Sequence, residues 1–223
     1  MKKIFAAGLV TVLTLFSIAV TAEAMPVAGI ISSTNPSIYN SESHSLGYKF
    51  TAMNDVTITA LGFFDPYQDG FRADHLVGLW DENQTLLSSV KLSAGTGSLL
   101  IDDYRYENIN NTITLTAGKS YFIAGTTASD AWMYQTDNIA TDPNISYAGS
   151  YYALFTGYDL VFPNSYASGN QYMTVNFLME PAPTPEPSTI LLFATGLAGL
   201  VSYRIRRLRE RGSGFDYLTI KSR

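Results

Sequence analysis

The feature that most limits this 223-residue chain is a two-residue alternation of apolar and polar side chains that recurs through its middle. Leu46-Gly-Tyr48-Lys-Phe50-Thr-Ala52, Val56-Thr-Ile58-Thr-Ala60, Leu86-Leu-Ser-Ser-Val90-Lys-Leu92, Ile113-Thr-Leu115 and Tyr172 to Met179 carry it over most of their length. A period of two places successive side chains on opposite faces of a strand, so each segment buries one face and wets the other. Turn residues recur about every 8 to 12 positions, long runs of helix formers are missing, and no repeat of fixed period is visible. Residues 25–180 are therefore expected to form an all-β domain of roughly nine to eleven short strands, an antiparallel β-sandwich of jelly-roll or immunoglobulin-like type.

Charge is segregated along the chain. Residues 25–180 carry 5 basic and 15 acidic side chains, whereas residues 181–223 carry 7 and 3. An acidic body repels phosphate backbones, so nucleic acid is excluded as a partner. With no cysteine, disulfide frameworks, thiolate catalysis and thiolate metal sites are also excluded.

The ends supply the compartment. Lys2 and Lys3 precede an uncharged run from Ile4 to Val20, and Ala22-Glu23-Ala24 puts small residues where signal peptidase requires them. Residues 1–24 read as a cleaved signal peptide. At the other end, residues 181–187 alternate proline with small or acidic residues, which holds the backbone extended and outside any helix or sheet. Residues 188–203 carry no charge, and Arg204, Arg206, Arg207, Arg209 and Arg211 follow within residues 204–211. Sixteen residues rise about 24 Å, short of a hydrocarbon core of about 30 Å. This reads as a short transmembrane helix that suits a temporary stop, with the arginines cytoplasmic and the body outside.

That order of proline linker with Pro185-Glu186-Pro187, Ser188-Thr189, apolar helix and arginine cluster resembles the PEP-CTERM sorting signal. The resemblance covers residues 181–211 and implies a Gram-negative host, an inner-membrane precursor, and cleavage near the motif by a membrane-embedded exosortase. It also implies a final place at the cell surface or in an extracellular polysaccharide matrix. The tail at 212–223 departs from the pattern, which usually ends close to the basic cluster.

Within the body, Leu115-Thr-Ala-Gly118-Lys-Ser-Tyr121 has the spacing of a tyrosine corner, in which a tyrosine hydroxyl bonds back to a turn between two sheets. The segment from Leu61 to Asp81 sets an acidic, glycine-containing loop between two apolar strands. With Leu46 to Phe50 and Asp103-Tyr-Arg-Tyr106, it resembles an extracellular β-sandwich domain of unknown function that travels with PEP-CTERM signals, over residues 44–179. This implies fold and location, not an activity.

Asp65, Asp69 and Asp74 are the candidate ligand or ion contacts of that loop. An EF-hand is excluded, because position 3 is Tyr67, position 12 is Leu76 and the flanks are strands. Turn chemistry, with Asp74 pairing Arg72 and His75, is the simpler reading. His44 and His75 are the only histidines, and metalloprotease, nucleophile-elbow, phosphate-loop and dinucleotide motifs are absent. Asn83, Asn110 and Asn144 begin glycosylation-like triplets and read as turn residues.

No metal, no cofactor and no catalytic residue is therefore expected. The expected function is that of a non-catalytic, secreted surface protein with polysaccharide as its candidate ligand. Trp132, Tyr134, Tyr147, Tyr151, Tyr152, Tyr158 and Tyr166 are the candidate stacking residues. The alternative is an extracellular carbohydrate-active enzyme working through paired carboxylates.

Overall fold

A computed structural model describes residues 25–40, 43–128, 130–180 and 189–212, so the expected signal peptide with Ala22 and Ala24, the Pro185-Glu186-Pro187 motif and the tail beyond 212 lie outside the described residues. The chain divides into two compact units, 1–181 and 182–223.

The first unit is built from strands β1 (Val27–Ala28), β2 (Ile30–Tyr39), β3 (Ser45–Ala52), β4 (Val56–Phe64), β5 (His75–Asp81), β6 (Leu86–Leu92), β7 (Leu99–Ile101), β8 (Tyr104–Leu115), β9 (Ser120–Thr126), β10 (Trp132–Thr141), β11 (Ile145–Ala153), β12 (Ser165–Tyr166) and β13 (Val175–Met179). One sheet has the order β1-β13-β4-β8-β7, the other β12-β11-β3-β9-β5-β6, and β10 and β2 form a separate ribbon. Every pairing is antiparallel. The all-β expectation holds, and it holds for the reason given: Tyr48, Phe50 and Ala52 of β3 and Ile58 and Ala60 of β4 are the buried members of their alternating pairs.

The core lies between the two sheets. Phe50 of β3 meets Phe177 of β13 at 4.8 Å between ring centroids, and Phe63 of β4 stacks on His75 of β5 at 4.1 Å. The tyrosine corner is present: the Thr116 N–H donates to the Tyr121 hydroxyl at 2.9 Å, and Gly118 turns the chain with φ of 77°. Because β8 and β9 belong to different sheets, this bond pins them together at one end.

Three local expectations need correction. The last strand starts at Val175, since the Tyr172 N–H is already taken by Ser150 Oγ at 2.7 Å. Asn110 sits inside β8 rather than at a turn, in a bulge where Ile58 and Ala60 pair with Ile113 and Asn108. Asn83 and Asn144 do occupy turns, each donating its backbone N–H to an aspartate two residues before it.

The second unit holds one helix, α1 (Thr189–Gly212), which continues past the expected end at Tyr203 through the arginine cluster because arginine is a good helix former. Among the described residues, no helix is long and apolar enough to cross a membrane. Leu197, Leu200, Val201, Tyr203, Ile205 and Leu208 are all exposed, and Ser202 returns its hydroxyl to the Ala198 carbonyl at 2.8 Å.

Candidate functional site

The loop that joins β4 to β5 carries the chain from one sheet to the other, and two buried polar side-chain pairs shape it. At its start, Asp65 is 3% exposed and accepts from Arg105 Nε of β8 at 2.6 Å. The rest of the guanidinium fork donates to the carbonyls of Thr96 and Ser98 through Nη1 and of Gln68 through Nη2, at 3.0 to 3.1 Å. Asp65 also accepts the Gly70 N–H at 3.1 Å. Gly70 is required here: its φ is 92°, and a Cβ would lie 2.7 Å from the backbone of Gly95.

At the loop's end, His75 is fully buried, with Nδ1 2.6 Å from the Thr126 carbonyl and Nε2 3.3 Å from Asp130 Oδ2. The same Asp130 oxygen accepts the N–H of Arg72 at 2.6 Å and of Ala73 at 3.3 Å. Burial pushes the Asp130 carboxyl up, but His75 and these N–H groups outweigh it and hold the group below the usual carboxylate range. Asp74, by contrast, is half-exposed and pairs with Lys91 Nζ of β6 at 2.6 Å, while also accepting the Ala94 N–H. Lys91 is the main cause of its lowered pKa.

The three carboxylates singled out in the sequence do not share a partner, although Asp65 and Asp69 line the same pocket and Asp74 does not. Asp65 is tied to Arg105, Asp74 to Lys91, and Asp69 stands exposed without an ion pair. Among the described residues, no group of three histidine, aspartate or glutamate side chains could hold a metal. The expected pairing of Asp74 with Arg72 and His75 is corrected as well. The β5–β6 register, in which Leu76 faces Lys91, hands Asp74 to Lys91 and leaves His75 to Asp130.

Between this loop, the end of β2 and the start of β10 lies a pocket of about 250 Å³, lined by Tyr39, Tyr67, Asp69, Arg72 and Asp130 among others. Tyr67 is 67% exposed and Tyr39 49%, the latter stacked on Trp132 at 5.4 Å. Two further depressions exist. One of about 340 Å³ is lined by Asp102, Asp103, Tyr104 and Tyr106 without a cation, and one of about 300 Å³ by Tyr147, Tyr166 and Asn170 without any charge.

Of the seven aromatic residues expected to stack on a ligand, only Tyr158 and Tyr166 are freely exposed. Trp132 is buried with Leu46, Ala167 and Tyr172, with Tyr134 and Tyr152 packed alongside. Tyr151 covers Trp80 and Phe122 on the outer face of the six-stranded sheet, and Tyr147 bonds to Ser150 Oγ at 2.9 Å. Tyr39 and Asp130 were not singled out, and Tyr67, Arg72 and Arg105 were noted only as a loop position, a partner for Asp74 and part of the Asp103 to Tyr106 phrase. One signal was available for Arg105, a cation set between two tyrosines in a body with only five cations.

A two-sheet antiparallel sandwich with a cation-bearing pocket at one sheet-crossing loop defines a small all-β module. The profile of a domain of unknown function (DUF4082) matches residues 32–174, and the chain belongs to that family. Residues 183–207 match the PEP-CTERM protein-sorting motif, which takes in Pro185, Glu186, Pro187, Arg204, Arg206 and Arg207, while Arg209 and Arg211 fall beyond the match. The chain is therefore an exported, exosortase-sorted protein of the Gram-negative type. No curated protein matches the chain significantly.

Proposed function

We propose that the sandwich is a non-catalytic surface or matrix protein that associates with exopolysaccharide after sorting. The observation that carries this reading is the state of the carboxylates around the crossing loop. Asp65, Asp74 and Asp130 each hold a basic partner and at least one backbone N–H, which ties these three up against acid–base work on a glycosidic bond. The exposed tyrosines beside them offer amphipathic rings to a sugar face.

The sorting route follows from the same chain. Signal peptidase removes residues 1–24, and export stops when the five arginines reach the membrane. The short helix then holds the proline linker just outside the bilayer for exosortase, in an inner-membrane precursor with its body outside. Sixteen uncharged residues suffice for such a halt but not for a lasting anchor.

The test incubates the full chain, in detergent, with neutral and acidic exopolysaccharides, and measures both retention and released reducing ends. Retention without release is the expected result. Release that is abolished by changing one carboxylate overturns the non-catalytic reading.

A further inference from the structure

The body has five cationic side chains against fifteen acidic ones, so the fate of each cation is informative. Arg105 is buried on Asp65, Lys91 pairs with Asp74, Lys119 lies 3.7 Å from Glu82, and Lys49 sits 5.5 Å from the Phe122 ring centroid. Among the described residues of the sandwich, Arg72 alone has neither an ion pair nor a ring for its guanidinium. It lies on the wall of the 250 Å³ pocket. Asp65, Asp69 and Asp130 line the same pocket, yet none of them forms an ion pair with Arg72. Its backbone N–H is fixed by Asp130, itself fixed by His75.

We infer that this pocket is a binding site for one ring of a neutral glycan, with Arg72 and Asp69 as its hydrogen-bonding pair and Tyr67 and Tyr39 as its stacking walls. Its volume falls just below the range of about 300–1,000 Å³ usual for small-molecule sites, which suits a single ring better than a peptide or a lipid chain. A pyranose presents an apolar C–H face and a rim of neighbouring hydroxyls. Tyrosine rings match the first. A guanidinium that only donates, beside a carboxylate that only accepts, matches the second, because adjacent hydroxyls can donate to one and accept from the other.

Charge selects the class further. The net charge of the body is -10, so a polyanionic chain is repelled on approach, and Asp65, Asp69 and Asp130 line the same pocket as Arg72 and disfavour a uronate carboxylate bound there. A neutral hexose meets neither penalty. The pocket is also preorganised: the Arg105–Asp65 and His75–Asp130 pairs set the loop from both ends before any ligand arrives, which lowers the ordering cost of binding.

This assignment rests on the polysaccharide-associated reading above, and the experiment separates the two. Retention of the full chain in detergent is measured on cross-linked dextran, insoluble mannan and cellulose, with polygalacturonate as the charged comparison. Wild type is expected to be held by at least one neutral polymer, and Arg72→Met, Asp69→Asn and Tyr67→Ala each to weaken retention about tenfold. All three side chains are exposed, so the melting temperature should not move with them. Met53→Ala, exposed and outside the pocket, should bind as wild type. If the three pocket variants bind as well as wild type, the site is wrong and the polysaccharide reading survives. Retention on polygalacturonate alone overturns the neutral class, and retention on none of the polymers overturns both the site and the reading.

Discussion

Arg105 Nε and Asp65 Oδ2 lie 2.6 Å apart with both side chains almost wholly buried, so one ion pair ties the third position of the Asp103-Tyr-Arg-Tyr106 phrase to the first residue of the sheet-crossing loop. Removing one partner leaves the other as an unpaired buried charge, which costs about 3–5 kcal/mol. Arg105→Met is therefore expected to lower the melting temperature of the full chain by on the order of 10 °C. Changing both partners, Arg105→Met with Asp65→Leu, should recover much of that loss, since a buried pair is often worth no more than apolar packing of similar volume. Thermal unfolding followed by circular dichroism measures both. Equal melting of wild type and Arg105→Met would show that the pair does not hold the loop.

Asp130 makes stability depend on pH with a definite sign. Its carboxyl is held below the usual range in the folded chain, against about 3.9 when unfolded. A depressed folded value stabilises the protein fully above the unfolded value and loses that contribution as pH falls through the folded one. The stability gap between wild type and Asp130→Asn should be widest above about pH 5 and shrink steadily below about pH 4. Urea midpoints across pH 3 to 7 check this, and a gap that widens on acidification contradicts it.

Two tyrosines should respond oppositely to loss of the hydroxyl. Tyr121→Phe leaves the Thr116 N–H without its acceptor at the corner between sheets, a loss of about 1 kcal/mol or more. The Tyr48 hydroxyl, fully buried among aromatic rings, has no hydrogen-bond partner, and burial holds its phenol well above the ordinary range. Tyr48→Phe removes an unsatisfied group, so its stability should equal or exceed that of wild type. Denaturant unfolding of the two variants reads the difference, and a Tyr48→Phe chain less stable than Tyr121→Phe would reverse the assignment.

Strands were legible wherever one face of a sheet is wet, because there the burial rule writes itself into every second residue. Tyr48 to Ala52 and Val56 to Ala60 are examples, and the tyrosine corner was legible because its geometry is local, within six residues. The pocket was not. Tyr39, Arg72 and Asp130 are far apart in the chain and meet only after β2, β5 and β10 are placed, and no spacing rule encodes such a meeting. The partners of the carboxylates were hidden for a related reason: of three aspartates within ten residues, strand pairing hands Asp74 to Lys91 and Asp65 to Arg105, both well downstream, and leaves Asp69 exposed. Trp132 was misplaced because a ribbon outside both sheets can bury a residue that looks like a loop aromatic.

The sorting segment gives the last expectation. Translocating five arginines is costly while an uncharged helix is tolerated in lipid, so export should halt with Arg204 to Arg211 in the cytoplasm. Such a halt would set the depth at which Pro185-Glu186-Pro187 is presented to the protease. Glu186→Ala should therefore accumulate as an uncut, membrane-retained form with its sandwich outside. Replacing all five arginines with Gln should act differently, weakening the halt and misplacing the linker so that uncut chain is found off the membrane. Mass spectrometry of surface protein from the native host distinguishes these cases. Mature, surface-exposed wild-type protein should yield no peptide spanning Glu186 to Arg211. Recovery of that peptide in quantity would mean that the helix, short as its apolar run is, serves as a permanent anchor, and deleting residues 213–223 would then test whether the tail had blocked the cut.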